Sequence, residues 1–124
     1  MMSAPGGKRL LVVVRHSPYS SSLARASLDV ALAAAAFDQP VSLLFVGDGV
    51  LQLQSGQDCD ALGVKNLGRL LASLPLYDIE QVFVDAEAAQ HYRLDLAAAP
   101  LPTRALDRDA MAELIRTHDH LLGF

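Results

Sequence analysis

Arg9-Leu10-Leu11-Val12-Val13-Val14 and, further along, Val41-Ser42-Leu43-Leu44-Phe45-Val46 are the two stretches that decide the fold. Each is an almost unbroken apolar run. Each is too short for a membrane span or a buried helix and lacks the in–out alternation of a half-wetted strand. Strands buried on both faces read this way, and such strands belong to parallel sheets covered by helices above and below. The segment between the runs supports this. After a Ser17-Pro18 turn, Ser20, Ser21 and Ser22 offer capping oxygens, and an Ala/Leu-rich stretch without Gly or Pro continues to Phe37. It predicts a helix of about 15 to 18 residues, since Ala and Leu are the strongest helix formers. Only Arg25, Ser27 and Asp29 interrupt its apolar surface, so most of its faces should be buried.

Working outward, Gln39-Pro40 closes that helix, and Gly47-Asp48-Gly49 predicts a tight turn needing a positive φ after the second strand. Residues 52–60 are polar and loop-like. Apolar residues at 64, 67, 70, 71 and 74 have helical spacing, with Pro75 just beyond. A third strand is expected at 81–84, a short helix of weak pattern at 87–94 and a fourth strand at 102–106. Asp107 should cap a helix reaching about Thr117, before a last strand at 119–123. The alternation predicts an α/β fold: a single domain over residues 9–124, three layers (α/β/α), with a mostly parallel five-stranded sheet. Residues 1–8, rich in small residues, are expected to be a disordered lead-in.

The totals bound the function. A chain of 124 residues suffices for one core. Apolar residues make up 52% and charged ones 19%, an excess that suits a doubly covered sheet and a surface hidden by another subunit. The Ala-rich helix 21–37, the loop 52–60 and residues 74–77 are the expected contact regions. Net charge is −4 and no Lys/Arg run exceeds two residues, which argues against direct nucleic-acid binding because phosphate tracking needs clustered cations. No stretch predicts a signal peptide or membrane span, and the single cysteine suits a reducing compartment, so the expected location is cytoplasmic.

Candidate sites lie beyond the carboxyl ends of the strands, where open parallel sheets bind ligands. Arg15, Tyr19 and the serines 20–22 have the ingredients of a small-anion site at a helix start, or the serines only cap and Arg15 is solvated. Gly47-x-Gly49 lacks the further glycine of a nucleotide fingerprint, so no cofactor is expected. His118-Asp119-His120 would place two imidazoles on one face of a strand, but no third ligand accompanies them and no metal is expected. Cys59 is the only thiol. Its neighbours Asp58 and Asp60 favour the neutral form, which makes it a weak nucleophile candidate.

Several motifs resemble the TusC/DsrF group of the DsrE/DsrF/DsrH sulfur-relay family. They are Ser17-Pro18-Tyr19, Arg25-x-x-Leu28-Asp29, Gly47-Asp48-Gly49-Val50 with Leu51-Gln52-Leu53, Tyr77-Asp78-Ile79-Glu80-Gln81, and the closing Phe124. The resemblance implies a DsrE/F/H-like fold and a subunit of a TusB–TusC–TusD (DsrH–DsrF–DsrE) heterohexamer. Such complexes relay persulfide sulfur toward 2-thiouridine at the tRNA wobble position or, in the Dsr versions, serve sulfur oxidation. The family's sulfur-carrying Cys follows the third strand. Here the matching segment reads Val84-Asp85-Ala86-Glu87-Ala88-Ala89-Gln90-His91-Tyr92-Arg93-Leu94. Asp85 stands in place of the Cys, and Arg93 replaces the usual Gly before Leu94. The resemblance therefore implies a non-catalytic, accessory subunit with TusB/DsrH-like and TusD/DsrE-like partners. The competing expectation is a stand-alone α/β enzyme or small-anion-binding module using the strand-end loops.

Overall fold

The two apolar runs become neighbouring strands, β1 (Leu10–Val14) and β2 (Val41–Phe45), at the middle of one sheet. The remaining strands are β3 (Gln81–Asp85), β4 (Arg104–Leu106) and β5 (His120–Gly123), in the spatial order β4-β3-β2-β1-β5. Every pairing is parallel, with Leu10 beside both Val41 and His120, Ser42 beside Gln81, and Phe83 beside Arg104. The sheet is thus wholly rather than mostly parallel. This computed structural model describes residues 9–17, 23–54 and 71–124. Expectations for the lead-in 1–8, Pro18, Tyr19, the serines 20–22, Cys59 with its loop, and the helix start at 64–70 lie outside those residues.

Parallel register puts paired residues on the same face. Leu10, Val12 and Val14 with Val41, Leu43, Phe45, Val82 and Val84 form the larger core, which receives Leu28 and Ala31 of α1 (Leu23–Ala36) and Ala89 of α2 (Ala86–His91). Leu11, Leu44 and Phe83 form a smaller core on the opposite face, where Met111 and Leu114 of α3 (Arg108–Arg116) pack. Helices on both faces make the three layers. No helix among the described residues is long and apolar enough to cross a membrane.

Local chemistry explains how the helices begin and end. Asp107 caps α3 by accepting from the Ala110 N–H at 2.8 Å, as the sequence predicts. At the end of α1, the Gln39 N–H donates to Ala34 O and the Asp38 N–H to Ala35 O, with Asp38 at φ 61°. That is the Schellman arrangement, and an aspartate holds the left-handed position glycine usually takes. The same pattern closes α2, with Leu94 N–H to Ala89 O, Arg93 N–H to Gln90 O, and Arg93 at φ 54°.

Two local expectations are corrected. Gly47–Leu53 is a 3-10 helix, so Gln52 and Leu53 are buried rather than part of a polar loop. His118 and His120 do not share a face, because the strand begins only at His120. The His118 ring bridges Leu114 O (2.8 Å) and the Ser42 hydroxyl (2.9 Å), and Ser42 pairs with Leu11 of the smaller core. His120 pairs with Leu10, on the face of α1.

Candidate functional site

Three loops leave the carboxyl ends of β1, β2 and β3, and contacts among them build the site. Gly49 lies so close to the end of β1 that a Cβ there would stand 2.0 Å from Val14 O. Glycine is required at this position by the approach of two backbones, and is favoured at Gly47 by its φ of 51°. Of the predicted tight turn, only Gly47 needs the positive φ. The buried Gln52 amide donates to His16 O at 3.0 Å and fixes the β1 loop to the 3-10 helix.

The third loop is the start of α2. Asp85, the last residue of β3, is also its N-cap: its Oδ1 accepts from the N–H of Glu87 (3.1 Å) and of Ala88 (3.4 Å). Across a cavity of about 370 Å³ lies Asp48, and the Tyr92 hydroxyl at the far end of α2 donates to Asp48 Oδ1. That hydrogen bond, then desolvation and the carboxylate's charge, push the Tyr92 hydroxyl above its ordinary value of 10.0. The His91 ring packs edge-on against Tyr92 with centroids 4.9 Å apart.

The cavity therefore gathers Asp48, Asp85, Glu87, His91 and Tyr92. Three carboxylates make it a poor host for an anion. No group of three or more His, Cys, Asp or Glu able to hold a metal occurs among the described residues. Asp85 acts here as a cap, and no cysteine stands beside it among the described residues. Arg15 does not join the cluster, since its guanidinium rests against Gly123 of β5, 3.4 Å from where a Cβ there would sit. Asp48, which sequence reading assigned to a turn, is the second anchor of the site. Tyr92, its partner, carries no sequence signal of that role. The two are 44 positions apart, and only packing of α2 on the 3-10 helix joins them.

Known proteins share this chain's sequence and its fold. Residues 8–124 match the model of the DsrE/DsrF-like family. The chain is 36% identical over 113 residues to the Protein TusC homolog of Pseudomonas aeruginosa, covering 91% of this chain and 95% of that one. It is 34% identical over 107 residues to the intracellular sulfur oxidation protein DsrF of Allochromatium vinosum, covering 86% of this chain and 70% of that one. Among solved structures, the ychN protein of E. coli shares the fold with a TM-score of 0.79 at 18% identity, covering 94% of this chain and 99% of that one.

Proposed function

Because this chain belongs to the DsrE/DsrF-like family, we propose that it serves as an accessory subunit of a sulfur-relay complex and carries no sulfur itself. The observation that carries this reading is Asp85. A relayed sulfur is held as a persulfide, an S–S bond on a cysteine, and a carboxylate forms no such bond. Here the carboxylate Oδ1 accepts two N–H groups of α2, so the group at the position of the family's cysteine has a structural task. The surrounding Asp48 and Glu87 would also raise the free energy of an anionic persulfide brought into the cavity. The same charges weigh against a small-anion-binding module at this end of the sheet.

The partners in this reading are TusB/DsrH-like and TusD/DsrE-like chains in a heterohexamer, in the cytoplasm. The delivered sulfur goes toward 2-thiouridine at the tRNA wobble position. Support for the tRNA branch over sulfur oxidation is the near full-length match to a TusC homolog against 70% coverage of DsrF.

Co-expression with the two partner chains, followed by a reconstituted relay assay, tests the reading. Asp85→Ala should cost about 1 kcal/mol of stability through the lost cap and leave relay intact once the complex has assembled. Cys59→Ser should also leave relay intact, since Asp58 and Asp60 disfavour its thiolate. Mass spectrometry after incubation with a cysteine desulfurase and cysteine should find no added sulfur atom on this chain. A stoichiometric persulfide on Cys59, with relay lost in Cys59→Ser, would overturn the reading.

A further inference from the structure

The end of the molecule opposite this site carries exposed apolar side chains that the fold itself does not use. Phe37 is 86% exposed, Leu76 83%, Leu121 53% and Leu122 42%. Of these, Phe37 and Leu122 share one groove. Val30 of α1 and Phe37 just past its end face His120 and Leu122 of β5, which pair with Leu10 and Val12 on the α1 side of the sheet, across a largely apolar groove of about 490 Å³ with no carboxylate, lysine or arginine in its lining. β5 is an edge strand beside β1, and all four of its residues are exposed. The other edge differs. β4 has three residues, none of them buried, and begins with an exposed arginine, Arg104, which is how natural sheets blunt an edge. On β5 an arginine, Arg15, stands only at the carboxyl end, against Gly123, and the exposed His120, Leu121 and Leu122 precede it.

The groove has a charged end. Gln39 lines it and also lines a second cavity, of about 330 Å³, beneath the amino ends of β2 and β3. The rim of that cavity carries Asp38, Asp78 and the half-exposed ring of Tyr77, over a floor that includes the buried Ile79. Neither carboxylate has a hydrogen-bond or ion-pair partner among the described residues. Both sit at left-handed backbone positions, φ 61° and 65°, that hold the two loops toward the cavity. Two unpaired carboxylates beside an aromatic face match one kind of side chain best: a guanidinium, which pairs with carboxylates through its fork and stacks on a ring.

We propose that the groove between α1 and β5, together with the acidic notch at its end, docks an apolar segment of another subunit that terminates in an arginine. The segment's apolar side chains cover Phe37 and Leu122, and its guanidinium enters between Asp38 and Asp78. The inference rests on the accessory-subunit reading and adds to it where the partner binds and by what chemistry.

The test uses purified full-length chain titrated with the TusB-like and TusD-like subunits of the same organism. Phe37→Ser removes the most exposed apolar contact. Asp38→Asn with Asp78→Asn removes the charges while keeping a residue that tolerates the left-handed region, so the fold is preserved, and circular dichroism verifies this. Each variant should weaken the complex at least about tenfold, as loss of a central aromatic or charged contact does. The double asparagine variant should also lose most of the salt dependence of binding. Asp109→Asn, on α3, should bind as the wild type does. If either variant binds both partners as tightly as the wild type, the docking inference is wrong and the accessory-subunit reading survives. If the wild type binds neither partner, both fall.

Discussion

Arg93 holds a backbone conformation that costs an arginine energy and a glycine almost none. At φ 54° it closes α2, and a left-handed non-glycine residue carries a penalty of roughly 1–2 kcal/mol. Arg93→Gly should therefore stabilise the chain by about 1 kcal/mol, since the gain is partly offset by the freer unfolded chain. Denaturant midpoints measure it, and a loss of stability would mean that the arginine side chain compensates for its own strain. At the neighbouring position, the raised pKa of Tyr92 makes a linkage prediction. A group whose folded pKa lies above its unfolded value contributes stability at pH below the unfolded value and loses it as pH rises through the folded one. The advantage of wild type over Tyr92→Phe should be constant near neutrality and vanish in the alkaline range above 10.0. An advantage persisting there would separate the hydroxyl from the effect.

At the scale of elements, the loop after β2 carries the most severe constraint. Gly49→Ala drives a Cβ into Val14 O, at 2.0 Å from rigid backbone, and should cost on the order of 3 kcal/mol. Gly47→Ala meets open space and should cost only the left-handed penalty, about 1 kcal/mol. Thermal unfolding of the pair would rank them, and a reversed order would refute the close-approach account. This loop also shows where sequence reading stops. β1 and β2 were legible because burial on both faces writes itself as an unbroken apolar run. Asp107 was legible as a cap because capping is local. The 3-10 helix Gly47–Leu53 was not, since its i to i+3 bonds leave no 3.6-residue period. Asp85 could be located by family resemblance, but its capping of α2 needed the structure. The Asp48–Tyr92 pair had no sequence signal, because its two halves meet only through packing of separate elements.

For the whole molecule, the two faces of the sheet are unequal. Leu43 lies in the larger core and Leu44 in the smaller one, both almost fully buried. Truncation to Ala costs about 2–5 kcal/mol, and the figure depends on how far the site can collapse. Leu44→Ala should fall near the lower end, because among the described helices the nine-residue α3 covers it and can settle inward. Leu43→Ala should fall near the upper end, and equal costs measured by denaturation would count against an uneven core. The strand order has a further consequence, in time rather than energy. The backbone N–H of Arg9 is held by Asp119, 110 positions later in the chain, and β5 is the last strand made though it pairs with the first. At a synthesis rate of roughly 5–20 residues per second, several seconds separate the emergence of the two strands. Throughout that interval the nascent chain exposes Leu10–Val14, its most apolar strand, as a bare border, and a chaperone at the ribosome would find its substrate there.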